Sequence, residues 1–309
     1  MSLSARPLGT ISAHTDEALR AAGLEPREVV DLVRRAIAED LDGGEDVTSV
    51  ATIDPHDTSV ADFVVRSTGV FAGSPVLSAV IESIIPSASF EGFIGDGVRV
   101  AKGDLAATVR APTIALLTVE RTALNLVCRL SGIATHTRAW VDALAGTNTK
   151  VRDTRKTTPG LRDLEKYAVR CGGGVNHRRG LSDAVLIKDN HVLAAGGVGA
   201  ALDAVHAHLS GRAATVGIVV QTEIDRLDQL DEALQHGAAQ ILLDNMSIAD
   251  MRSAVDRVRA SGRKVLLEAS GGLTLANAAE VASTGVDFIA VGALTHSSPI
   301  LDIALDFRG

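Results

Sequence analysis

Between Lys150 and Lys188 lie ten Lys or Arg residues and only four Asp or Glu, in a chain of formal net charge −8. Within that segment Arg155, Lys156, Arg178 and Lys188, with His177, have the chemistry to bind anions, and arginine can grip a carboxylate or phosphate through two parallel hydrogen bonds. Farther along, Glu223 ends the run "VGIVVQTE" and Asp244 ends "QILLD". Hard carboxylates set among anion-binding groups fit Mg²⁺ shared with substrate phosphates. The turns at Ser270-Gly271-Gly272 and Gly292-Ala293 offer backbone N–H groups that a phosphate could approach closely. These groups fit a small polyanion and a phosphorylated, magnesium-bound partner.

The elements that would carry them alternate in type. Six aliphatic strand candidates are spaced along the second half: 150–154, 184–190, 216–223, 240–245, 264–270 and 287–294, with a further short strand possible near 174–178. Helical segments or turns separate most of them, as expected for a parallel sheet, closed as a barrel or open and doubly wound. No Gly-x-Gly-x-x-Gly follows any of these strands, so the mark of a dinucleotide fold is missing. Most of the runs turn polar at their C-terminal ends, at Asp153, Lys188-Asp189-Asn190, Glu223, Asp244-Asn245 and Glu268 with Ser270. In a parallel βα barrel those ends share one rim, where active sites are built.

The first half reads differently. Residues 1 to about 20 carry little periodic signal and are expected to be a loose tail. Val29, Val30, Val33, Ile37 and Leu41 predict a helix over 26–41. Short β-like runs follow at 60–73, 89–100 and 105–112, and then a helical run after 117 that Ser131-Gly132 is expected to interrupt. Helix and strands in this order predict an α+β sandwich. Aromatic residues are only 3%, so the core must be aliphatic, which suits strands buried on both faces. The acidic balance argues against non-specific nucleic-acid binding. Cys128 and Cys171 form no metal or disulfide pattern. With no apolar run of membrane-spanning length and no signal-like start, no membrane partner and a cytoplasmic protein are expected.

The segments "ERTALNLVCRLSGIAT", "RDTRKTTPGLRDLEKYAVRCGGGVNHRRGLSDAVLIKDNH", "ILLDN", "LEASGGL" and "VGALTHS" resemble the quinolinate phosphoribosyltransferase family, the carboxylating nicotinate-nucleotide pyrophosphorylases. The match is dense from about residue 115 onward. The resemblance implies transfer of phosphoribose from phosphoribosyl pyrophosphate to quinolinate in NAD synthesis, with Mg²⁺, giving nicotinate mononucleotide, pyrophosphate and CO₂. It also implies an α/β fold: an N-terminal α/β sandwich over 1–130, joined by 295–309, and an incomplete seven-stranded α/β barrel over 131–294, assembled as a homodimer. By the same motifs Arg121, contributed across the dimer interface, would hold quinolinate with Arg155, His177, Arg178 and Lys188. Lys156, Glu223, Asp244, Ser270, Gly271, Gly272, Gly292 and Ala293 would hold phosphoribosyl pyrophosphate. Lys156, Lys188, Glu223 and Asp244 would form the catalytic set, and Glu223 and Asp244 would meet the metal directly or through water and pyrophosphate. Gln221 and Thr222 depart from the acidic and aliphatic residues the family tends to show there.

Each residue taken singly also has a plainer reading. Arg121 could be a surface ion-pair residue, and Asp189 and Asn190 could simply cap a helix. Glu268 could be a buried rim residue bonded to a neighbour. Tyr167 and Trp140 read as packing residues, and His206, His208 and His236 as ordinary helical ones. Three other functions stay open: a phosphoribosyltransferase of another pyridine acceptor, a paralogue tied to molybdenum metabolism, and a non-catalytic metabolite sensor. The pair Glu223 and Asp244 weighs against the last.

Overall fold

The structure is a computed structural model and describes residues 11–211 and 217–308. The chain divides into two compact units. One comprises the described part of Met1–Arg138 with Asp163–Gly173 and Ser297–Gly309; the other comprises Ala139–Arg162 and Gly174–His296.

In the first unit the two-residue alternation of β1 (Thr58–Val65) buries Ala61, Phe63 and Val65 on one face, as a half-covered strand requires. β1 pairs antiparallel with β5 (Leu105–Pro112) and with the C-terminal β12 (Ile303–Phe307), and β3 (Ser89–Phe93) extends the sheet beyond β5. Helix α2 (Pro26–Leu41) has Pro26 in its first turn and ends at Asp42 in the left-handed conformation. Its Val29, Val33 and Ile37, four residues apart, form one buried stripe. With α4 (Ser74–Ile84), Val33 and Ile37 close a core around Phe63, Phe71, Leu77 and Ile81.

Three expectations change here. Residues 13–21 form helix α1 (Ala13–Ala21), capped by the Ser12 hydroxyl and anchored by fully buried Leu19; the rest of the expected tail, 1–10, lies outside the described residues. Ser131-Gly132 does not interrupt the following helix. α5 (Thr113–Ala143) runs unbroken for 31 residues, because both residues serve its packing. The Ser131 hydroxyl donates to the Ala72 carbonyl and accepts from the Ala72 N–H. A Cβ on Gly132 would lie 2.7 Å from Ile300 Cα, so the glycine lets the C-terminal backbone cross the helix. The segment 163–173, counted with the barrel from sequence, groups with the first unit. There the buried Tyr167 hydroxyl donates to Asp96, whose other oxygen accepts the Gly73 and Ser74 N–H groups at the start of α4.

The second unit is built on a parallel sheet in the order β6-β11-β10-β9-β8-β7. Its strands are β6 (Lys150–Arg152), β7 (Ala184–Ile187), β8 (Val219–Ile224), β9 (Gln240–Asp244), β10 (Leu266–Ser270) and β11 (Phe288–Ala290). The seventh strand expected near 174–178 is reduced to a single parallel bridge between Arg152 and Val175. No pairing joins β7 to Val175 among the described residues, so the barrel stays open at that seam. Helices α8 (Val198–Leu209), α9 (Leu227–Gln235) and α10 (Ile248–Ala260) alternate with the strands and bury Leu202, Leu230 and Val255. The unit thus keeps the βα order that puts all strand C-termini on one side.

Replacing Gly132 by alanine sets two effects against each other. Helix propensity favours alanine by about 1 kcal/mol, whereas overpacking against a fixed backbone costs about 1–3 kcal/mol. Gly132→Ala is expected to lower the denaturant midpoint at unchanged slope; a rise would show that the crossing at Ile300 is not tight.

Candidate active site

Buried Asp153, just past the end of β6, organises the rim. It is 0% exposed; its Oδ1 accepts the His177 N–H at 2.7 Å and its Oδ2 accepts Asn176 Nδ2 at 2.6 Å. One buried carboxylate thus fixes the loop that carries His177 and Arg178. Arg162 ties down the neighbouring turns, donating to Thr157 Oγ1 and to the Arg179 carbonyl.

Arg155 and Arg178 are half-buried, and the Nε of each is buried without a hydrogen-bond partner. Arg178 Nη1 donates to the Ala184 carbonyl at 3.1 Å. Burial, with Arg155 beside it, pushes the Arg178 guanidinium below its ordinary pKa, yet an arginine remains charged in water at neutral pH. Two neighbouring cations with unused donors form a receptor for a dianion. Lys188, at the N-cap of α7 (Asp189–Ala195), is exposed and pairs with Glu223 Oε2 at 2.9 Å. The helix is capped by His191 Nδ1 accepting the Lys188 N–H; Asp189 instead accepts the Asn190 N–H.

The glycine turns follow β10 and β11. Gly271 and Gly272 both have positive φ, +85° and +61°, and a Cβ on Gly271 would lie 2.5 Å from Asn245 Cγ. Asn245 is itself left-handed at φ 53°, and its N–H donates to the Ser270 carbonyl. Strand ends β9 and β10 are thereby locked together. At Gly292 a Cβ would lie 3.0 Å from Lys156 Cδ and 3.2 Å from His296 Nε2; glycine leaves room for both side chains.

A cavity of about 550 Å³ gathers Arg155, Lys156, His177, Arg178, Lys188, Glu223, Asp244, Ser270, Gly271, Gly272, Gly292 and Ala293. The structure therefore brings together every site residue expected in the second unit, drawn from the ends of separate strands. Arg121 is exposed on α5 in the first unit and is not among the cavity's lining residues. Thr154, Glu268 and His296 also line the cavity, although sequence reasoning gave them no substrate role. Glu268 is 1% exposed and paired with Arg152 Nη1 at 2.7 Å, while Arg152 lies over the Phe288 ring. Burial pushes the Glu268 carboxyl above its ordinary pKa, and Arg152 opposes that shift. The polar switch at Glu268, two residues before the end of β10, was the available signal; that of His296, after "VGALT", was weaker.

Among the described residues no group of three or more His, Cys, Asp or Glu could hold a metal ion. Glu223 and Asp244, on adjacent strands, still supply two hard oxygen donors, with Asp244 Oδ2 held by Asn245 Nδ2 at 2.7 Å. That set fits Mg²⁺, which commonly uses one or two carboxylates together with substrate phosphates and water. No single helix among the described residues is long and apolar enough to cross a membrane.

The chain matches the quinolinate phosphoribosyl transferase N-terminal domain over 46–131 and its C-terminal domain over 133–306. It is 51% identical to a nicotinate-nucleotide pyrophosphorylase [carboxylating] of Mycobacterium leprae, over 89% of this chain and 96% of the relative. A probable enzyme of the same name from Bacillus subtilis is 40% identical, over 89% of this chain and 92% of its own length. A solved nicotinate-nucleotide pyrophosphorylase from Francisella tularensis superposes with a TM-score of 0.85 at 36% identity, over 92% of this chain and 98% of the other. The cavity and its strand-end residues therefore belong to a member of the quinolinate phosphoribosyltransferase family.

Proposed function

We propose that this chain transfers phosphoribose from phosphoribosyl pyrophosphate to quinolinate with decarboxylation, yielding nicotinate mononucleotide, pyrophosphate and CO₂ for NAD synthesis. The observation that carries this reading is the pair Arg155 and Arg178, each with a buried, unpartnered Nε, in one cavity with Lys188 and the glycine turns. Quinolinate carries two adjacent carboxylates, matching two guanidiniums and a lysine. Nicotinate, with one, would leave part of that buried positive charge uncompensated.

The Lys156 side chain lies beside Gly292, suited to the pyrophosphate and the 5-phosphate turn. Ser270, Gly271, Gly272, Gly292 and Ala293 cradle the 5-phosphate, and Glu223 and Asp244 face the ribose and pyrophosphate. Mg²⁺ brought with the pyrophosphate would be held by Glu223 and Asp244, directly or through water, and would neutralise charge on the leaving group. The pyridine nitrogen forms a bond to ribose C1 as the C1–O bond to pyrophosphate breaks. The ring nitrogen becomes cationic. Its positive charge then stabilises the carbanion left on the adjacent ring carbon when the carboxylate there departs as CO₂, and that electron pair takes up a solvent proton. Catalysis of this kind rests on positioning and charge stabilisation. We also propose a homodimer in which Arg121, exposed on α5, reaches the quinolinate site of the partner copy.

Three experiments test this reading. With Mg²⁺ and phosphoribosyl pyrophosphate, quinolinate is expected to give mononucleotide and CO₂ in equal amounts, and nicotinate little. Arg155→Ala and Lys188→Ala should each lower kcat/KM by about 10- to 150-fold, the worth of one charge-assisted hydrogen bond of about 1.5–3 kcal/mol. Near-normal turnover in both folded variants would remove them from the site. Chelation by EDTA is expected to stop turnover while leaving quinolinate binding, measured by calorimetry, intact. Loss of quinolinate binding on chelation would assign the metal to the other substrate.

A further inference from the structure

We infer that Gln221 is a positioning residue that holds His177 as a neutral imidazole, with its proton on Nε2, and so fixes the loop that presents Arg178; the kinetic consequence rests on the quinolinate reading above. Gln221 is 2% exposed on β8 and does not line the cavity. Its Oε1 lies 2.9 Å from His177 Nε2. On the other side of the ring, the Arg178 backbone N–H points at His177 Nδ1 at 2.7 Å. A backbone N–H can only donate, so Nδ1 must accept and carries no proton. The single proton of a neutral imidazole then sits on Nε2 and is donated to Gln221 Oε1. A second proton would have to go on Nδ1, directly against the Arg178 N–H.

The direction of these bonds continues past the ring. With its oxygen turned to His177, the Gln221 amide nitrogen is on the Glu268 side, close enough to help stabilise that carboxylate, though not at full hydrogen-bond geometry. Glu268 Oε2 accepts from Arg152 Nη1 at 2.7 Å, and its Oε1 lies 3.5 Å from His177 Nε2. The charged groups facing the ring from its surroundings are thus Glu268 on β10, with Arg152 on β6 behind it, Asp153 at the end of β6, and Arg178 on the histidine's own loop. Between them an amide is distinctive, offering an acceptor at one end and a donor at the other. A carboxylate at 221 would present two acceptors beside Glu268. An apolar side chain would leave the His177 Nε2–H buried without that acceptor and would take away the amide beside Glu268 Oε1, which already lacks a full hydrogen bond.

The consequence is steric and electrostatic. With both ring nitrogens engaged by protein, His177 adds no charge to the cavity and fixes the Arg178 backbone through Nδ1. Positive charge for the acceptor comes from Arg155, Arg178 and Lys188.

The test uses the unliganded protein with ¹⁵N-labelled histidine and long-range ¹H–¹⁵N correlation at neutral pH, His177 being assigned by its loss in His177→Gln. The expected spectrum shows His177 protonated on Nε2 alone. A wild-type ring protonated on Nδ1, or on both nitrogens, overturns the inference without any substitution at 221. In Gln221→Leu the single tautomer should give way to a mixture, and KM for quinolinate should rise about tenfold, the loss of one buried hydrogen bond, with KM for phosphoribosyl pyrophosphate unchanged. An unchanged tautomer, or equal rises in both KM values, would reduce Gln221 to a structural residue. If the leucine variant does not fold, Gln221→Met supplies the same comparison with a longer, unbranched side chain. The spectrum is taken without substrate, so the expected tautomer together with no turnover of quinolinate would overturn the functional reading alone.

Discussion

The repulsion between Arg155 and Arg178 is the constraint around which the second unit is arranged. Two cations brought together at a partly buried rim repel each other and lose hydration, and the lowered Arg178 pKa is the sign of both. Neither arginine has a carboxylate partner among its side-chain hydrogen bonds, and each keeps a buried Nε without one. The scaffold must therefore hold them in place by other means. It does so through backbone: the Ala184 carbonyl accepts from Arg178, and Asp153 pins the Asn176-His177 loop from below. Rigidity spent here is useful because an arriving dianion meets donors that need no reorganisation.

Beside those cations lies an ion pair. Arg152 is stacked on Phe288 and paired with Glu268, and Glu268 itself lines the cavity. Removing one member of a buried pair leaves the other charged and dry, at a cost of about 3–5 kcal/mol. The site thus sets the buried Arg152–Glu268 pair beside two guanidiniums whose Nε groups have no partner. Those donors are left for ligand.

Much of this was legible in the sequence because strand ends in a parallel sheet are marked by a switch from aliphatic to polar residues. Glu223, Asp244 and Ser270 could be found from that switch alone, and their convergence followed from topology. The resemblance of the motifs was needed to choose Arg178 over Arg179 and to single out Arg121 on a helix with no local signal. What sequence did not reveal was packing. Gly132 looked like a helix breaker because nothing local shows that the backbone at Ile300 crosses there. Helix α1 was missed because a nine-residue amphipathic segment with one fully buried leucine gives too few repeats for a periodic signal. Gln221 and Thr222 read as departures from a pattern; the partners that give Gln221 a direction, His177 and Glu268, lie 44 and 47 positions away.

Those partners also explain why a neutral ring suits this position. At an effective dielectric of about 20, a further positive charge about 4 Å from an existing one costs about 4 kcal/mol. Arg155 and Arg178 already repel each other without ligand. A cationic His177, covalently next to Arg178, would add to it and would also force Nδ1–H against the Arg178 N–H. Glu268 offers an imidazolium only its Oε1, 3.5 Å from Nε2 and outside hydrogen-bond geometry, its other oxygen being committed to Arg152. An uncharged acceptor at Gln221 avoids both conflicts. The loop then stays fixed while the net charge at the mouth is left to the groups that can face a substrate.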